Sequence, residues 1–205
     1  MRFRTTAVAS GLLAPALLLA GCTSGDDMSG MDHGSGTSSS PASSPSTSTS
    51  DANAADRMFV TMMIPHHQQA IEMADLILSK DGIDERVTAL AQQIDDAQGP
   101  EIDTMTGWLE DWGTPYDDSS PDQDMGDTDD GMMSDEDMAA LEAATGADAA
   151  RLFLTGMIAH HQGAVAMAQD EVDNGQSAEV VALAQQVIDG QTAEIATMQE
   201  ILASL

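Results

Sequence analysis

The chain has 205 residues with 6 Lys+Arg against 35 Asp+Glu, a formal charge of −29, 3% aromatic residues and 15 methionines. Such a charge repels nucleic acid and anionic lipid headgroups and draws cations to the surface, which argues against any nucleic-acid partner. With so few aromatics, a core must come from Leu, Ile, Val, Ala and Met, and methionine stripes are by default packing.

Arg2 and Arg4 precede the apolar run GLLAPALLLAGC, which is too short to span a bilayer and has the charged start and small-residue end of a secretory signal. Its last letters, Leu19-Ala20-Gly21-Cys22, resemble a bacterial lipobox, in which cleavage precedes the cysteine and its sulfur receives a diacylglyceryl group. Residues 1–21 are therefore expected to be a lipoprotein signal peptide. Cys22, the sole cysteine, would then anchor an exported protein to the outer face of the bacterial cytoplasmic membrane. The alternative is an ordinary secretory signal with a chance cysteine. Once lipidated, Cys22 is no metal ligand, so any metal site must be built without thiolate. Residues 22–52 form a Ser/Thr/Pro/Gly stretch that cannot bury apolar surface and reads as a flexible tether. Met28, Met31 and His33 make a loose soft-ligand cluster inside it.

The domain, residues 53–205, is organised by an internal repeat. MFVTMMIPHHQQAIEMAD, from Met58, aligns without gaps on LFLTGMIAHHQGAVAMAQ, from Leu152. ALAQQIDDAQGPEIDTM, from Ala89, aligns on ALAQQVIDGQTAEIATM, from Ala182. Both copies keep the His pair and its methionines. Repeat one (55–113) reads as two helices. In the first, Phe59, Met63, Ala70, Met73, Ala74 and Ile77 recur at helical spacing, and Asp81-Gly82 breaks the pattern. The second starts near Asp84, ends at Gly113, and carries Gly99-Pro100, where a kink is expected. The crossover (114–146) is acidic and turn-rich. Ser134 followed by Asp137 looks like a capping box opening a short helix that Gly146 closes. In repeat two (147–205) the first helix runs from about Asp148 to Asp173, Asn174-Gly175 turns, and the last helix runs from Ser177 to the end. Four such helices in two antiparallel hairpins bury their faces only together, as an all-α four-helix bundle.

Consecutive helical residues point about 100° apart, so His66 and His67 cannot easily clamp one ion from a rigid helix. Neighbours three, four and seven residues away supply partners: Met63 and Met73 for His66 and His67, Met157 and Met167 for His160 and His161. Met105 and Met198 could complete each patch from across the hairpin. Imidazole plus thioether without thiolate suits Cu(I) and its relative Ag(I), whereas zinc prefers carboxylate or Cys beside His. A di-iron centre needs Glu-x-x-His motifs on facing helices. Neither His pair has Glu three residues before it, and the recurring Glu101 and Glu194 are too few. No triad, nucleophile elbow or phosphate-cradling glycine loop is present, so no enzymatic activity is expected. Pro65, before the first His pair, marks a turn that lacks one backbone hydrogen bond.

The pattern F-x-x-x-M-I-x-H-H-Q-x-A-[IV]-x-M-A, present twice, resembles the bacterial family catalogued as domain of unknown function 305 over about residues 55 to 205. GWLEDWG and GMMSDEDMAAL add to the likeness. The resemblance implies a ferritin-like helical bundle, exported or lipid-anchored, with some copper-binding periplasmic relatives. By position it places a copper role on Met63, His66, His67 and Met73, and on Met157, His160, His161 and Met167. Met62 departs from the repeat, since its counterpart is Gly156. The expected function is a lipid-anchored extracytoplasmic protein that sequesters Cu(I) or hands it on, with a copper-handling protein as the expected partner. A surface interaction module with core histidines is the alternative, and a metal oxidase on the ferritin-like frame the third.

Overall fold

Helices begin where a side chain can satisfy backbone N–H groups that the first turn leaves without partners. The computed structural model describes residues 52–117 and 131–205, and four of its five helices start that way. In α1 (Ala54–Leu78), Asn53 Oδ1 accepts from the Ala55 and Asp56 N–H groups, and the Asp56 carboxylate accepts the Asn53 N–H in return. Asp84 caps α2 (Glu85–Asp111), Ser134 caps α3 (Asp135–Ala143) and Ser177 caps α5 (Ala178–Ser204). The remaining helix, α4 (Gly146–Asn174), has no side-chain cap. The described residues are thus all helical, as the periodicity predicts.

α1 continues through Pro65 and α2 through Gly99-Pro100, the long apolar faces carrying each helix past its missing donor. One local expectation changes. Gly146 does not close α3, whose C-cap is Ala144. With φ +54 it opens α4 instead, a left-handed turn that suits glycine.

α1 packs on α2 and α4 on α5, and the hairpins meet chiefly through α1 and α4. Those two run antiparallel: Asn53 Nδ2 at the start of α1 donates to the Asn174 carbonyl at the end of α4, at 2.8 Å. The apolar stripes bury in two separate cores. One holds Met73, Ile77, Val87, Ile94, Phe153, Leu154, Met157 and Met198. The other holds Phe59, Val60, Met63, Met105, Ala164, Ala168, Val180 and Val187. Exchanging the repeats carries most of one core onto the other. Each long helix crosses from core to core, and each is interrupted between them by buried polar residues: His66 and His67, Gln98, His160 and His161, Gln191 and Glu194. Fully burying a large apolar side chain stabilises by about 1.5–3 kcal/mol. Burying a polar one without a partner opposes that, so the polar layer between the cores is where a functional reason is to be sought.

Among the described residues, Tyr116 of the crossover packs against one core and the crossover's helix covers the other. Leu141 of α3 is buried in it, with Met133 and Met138 packed alongside. Gln69 of α1 grips the Met133 backbone at both ends, donating to its carbonyl at 2.9 Å and accepting its N–H at 2.8 Å. A Cβ at Gly156 would lie 2.6 Å from Met133 Sδ, and one at Gly131 would collide with the Ala159 carbonyl. Gly131, at φ +79 and against backbone, is thus required by close approach, whereas at Gly156 the flexible Met133 side chain would have to move. The signal peptide, Cys22, Met28, Met31, His33 and crossover residues 118–130 lie outside the described residues. No described helix is long and apolar enough to cross a membrane.

Candidate metal centre

The predicted angular separation of adjacent histidines holds, and it sorts the four rings into two roles. His66 and His160 turn toward each other across the α1–α4 contact, with ring centroids 3.7 Å apart and planes inclined at 39°. His67 and His161 turn toward the second helix of their own hairpins. His67 Nε2–H donates to Glu101 Oε2 at 2.7 Å, and His161 Nε2–H donates to Glu194 Oε2 at 2.7 Å. Two patches read separately along the chain therefore form one layer.

That geometry sets the chemistry of each ring. A carboxylate can only accept, so it fixes Nε2 of His67 and of His161 as the protonated nitrogen and leaves Nδ1 with its lone pair. Both Nδ1 atoms are buried and meet no hydrogen-bond donor of the protein. A carboxylate holding the far nitrogen of an imidazole is the usual outer partner of a metal-ligating histidine. His160 has neither ring nitrogen bonded. Burial, and then the neighbouring His66, His161 and His67, hold its pKa well below the ordinary histidine range, so it is neutral and carries a lone pair at physiological pH. These orphaned acceptors fit a cation.

Among the described residues, no group of three or more His, Cys, Asp or Glu is arranged to hold a metal ion. An ion in the layer would be held by the imidazoles alone or with thioethers beside them. Met63 stands three residues before His66 and four before His67, and Met157 repeats this before His160 and His161, so each shares a helix face with its His pair. Met63 and Met105 border the layer from one core, and Met157 and Met198 from the other, all fully buried. Met73 and Met167 stand six or seven residues beyond the histidines, about 10 Å along each helix axis. Met73 is buried in the covered core, whereas Met167 is half-buried beside a surface cavity with Met58 and Met62.

Reading the chain for di-iron ligands set aside Glu101 and Glu194, yet they are the partners that orient His67 and His161. The available signal was their recurrence at the same place in both copies. Gln93 adds a second bond to one of them only, donating to Glu194 Oε1 at 2.9 Å across the hairpins. Gln98 and Gln191, one turn before the two glutamates, are buried in the same layer. Met133 was not singled out either, and no local pattern announces that a crossover thioether rests on Gly156.

Known proteins share this fold. The family described as Domain of unknown function (DUF305) matches residues 56–202. A DUF305 fragment from Deinococcus radiodurans is 35% identical, with a TM-score of 0.67 over 76% of this chain and 99% of its own. A DUF305 protein of Streptomyces coelicolor, described as a candidate secreted protein, is 33% identical, with a TM-score of 0.65 over 73% of this chain and 91% of its own. CopM in the Cu(I)-bound form is 32% identical, with a TM-score of 0.60 over 73% of this chain and 96% of its own. CopM has also been solved in Cu(II)-bound, Ag-bound and apo forms. No curated protein matches the chain.

Proposed function

The chain belongs to the DUF305 family, and from that premise we propose that it binds Cu(I), with Ag(I) as a chemical mimic, to sequester it or hand it on without catalytic turnover. On this reading the protein is exported, held by lipid on Cys22 at the outer face of the cytoplasmic membrane, and exchanges copper with a copper-handling partner. The Cu(I)- and Ag-bound forms of CopM support the metal, and the candidate secreted relative supports the compartment. Copper is cargo here. The residues that would hold it are His160, His66, and the Nδ1 atoms of His67 and His161, with the thioethers of Met63 and Met157 beside them.

The observation that carries the reading is the pair of buried, carboxylate-oriented histidines whose Nδ1 atoms have no donor. A purely structural histidine would use both ring nitrogens or expose one. Soft thioethers beside neutral imidazoles favour a monovalent soft ion over a hard one. An anaerobic competition titration of the chain against a chromogenic Cu(I) chelator, with Zn(II) and Fe(II) as controls, tests it. Saturable Cu(I) binding should be lost when His66, His67, His160 and His161 are replaced by Ala, with helical content retained. Unchanged affinity would end the assignment.

A second reading is favoured by the same two histidine–glutamate bonds, which tie the two helices of each hairpin together. It makes the chain an interaction module with core histidines. The four-His chain would then lose the same stability with copper present or absent, whereas a copper site predicts a loss that grows with added Cu(I).

A further inference from the structure

The cavity beside Met167 lies outside the histidine layer, and nothing in the copper reading above uses it. It has a volume of about 470 Å³ and lies between the start of α1 and the end of α4. Met58, Met62 and Met167 line it together with Phe59, and the carboxyl groups of Asp170 and Glu171 stand at its wall. Three thioethers thus reach one opening in a chain whose repeat would place Leu152, Gly156 and Met73 at the corresponding positions. On that corresponding side the crossover covers the surface. Leu141 is buried there, and Met133 Sδ rests on Gly156. So this side carries two methionine side chains that the other lacks, where Leu141 and Met133 of the crossover pack instead.

We propose that this cavity is a surface site for a soft monovalent ion, Cu(I) or Ag(I), held by the thioethers of Met58, Met62 and Met167. Thioethers select such ions over hard divalent ones, and unbranched methionine side chains can close on an ion from a roomy opening. Met58 is 59% exposed, so the opening is reached from solvent. The neighbouring Asp170 carboxylate favours a cation at the opening. Met58, Met62 and His66 follow one another at four-residue spacing along one face of α1, and exposure falls from 59% at Met58 to 1% at His66. The site therefore stands at the outer end of a row of soft donors that leads into the bundle.

The test is a titration of the full chain, labelled with methyl-¹³C methionine, with Ag(I) and separately with anaerobic Cu(I), following the methyl resonances by NMR. Met58→Leu, Met62→Leu and Met167→Leu assign the three signals. They should shift together and saturate at one equivalence point, and the triple Leu chain should bind about one Ag(I) fewer per chain with its helical content unchanged. The proposal is overturned if these three signals stay still while those of Met63 and Met157 or the histidine rings move, an outcome that leaves the histidine-layer reading intact. It is equally overturned if Zn(II) shifts them as Ag(I) does, or if the triple Leu chain keeps the full Ag(I) count.

Discussion

The two cores are built from the same repeated residues and end differently. At the covered end the crossover lies over Phe153 and Met157, and the positions facing the hairpin tip are apolar, Ala150 and Ile77. At the open end the counterparts of those two residues are Asp56 and Glu171, both buried. Asp56 accepts the N–H groups of Gln176 and Ser177, tying the start of α1 to the turn between α4 and α5. The comparison teaches that repeated sequence fixes the interior of this bundle, while what lies over each end is decided by residues outside the repeat or changed within it.

The largest expected effect separates the two ends by packing. Phe153→Ala removes a fully buried ring beneath the crossover and should destabilise the ion-free chain by about 3–5 kcal/mol. Phe59→Ala, at the wall of the open cavity, should lie at the lower edge of that range, because its site already borders free space. Equal losses in urea unfolding would break the comparison. In the middle layer, Glu194→Gln and Glu101→Gln should each weaken Cu(I) binding by about 10–100-fold, the usual consequence of removing the group that orients a ligand histidine. The Glu194 change should be the stronger, since its side chain is 11% exposed against 24% for Glu101 and Gln93 also holds it. A chelator competition reads both.

A smaller effect sharpens the role of the crossover. Gln69→Ala removes two hydrogen bonds to Met133, each worth about 0.5–1.5 kcal/mol, and should speed amide exchange at Met133 and in α3 while leaving α5 protected. A separate effect is a pH dependence at the end of the bundle that holds Glu171. Burial, and then the adjoining Asp56, push Glu171 up to about 8 from 4.5. The folded chain then holds a proton that the unfolded chain releases between those values. Its contribution to stability is complete below about pH 4.5 and declines as pH rises toward about 8. Glu171→Gln should flatten that decline in urea unfolding series at several pH values. An unchanged slope would show that the proton sits elsewhere.

The helices, most of their starts and the His/Met set of each copy were legible because they follow local rules, whereas the meeting of the two histidine pairs depends on how α1 and α4 pack and was not. Asp84, Ser134 and Ser177 announce helix starts, and Phe59 through Ile77 announces a buried face. The Glu101 and Glu194 contacts were half legible: their recurrence was visible, but a bond to a histidine 34 or 33 residues away depends on how two helices turn about each other. The Asp56–Glu171 neighbourhood and the grip of Gln69 on Met133 were not legible. Each joins residues far apart in the chain, and no period or spacing relates them. Gly156 looks like a weak point of a helix until the close approach of Met133 to it is seen.

The contact of His66 with its own counterpart His160 has a consequence for how such a molecule diverges. Were each hairpin a separate polypeptide, two identical copies would meet at that ring pair, and every substitution would appear at both ends at once. Joining them in tandem releases that constraint. A single change can then shut one end while the other stays open to the surroundings, so a duplicated scaffold acquires a front and a back.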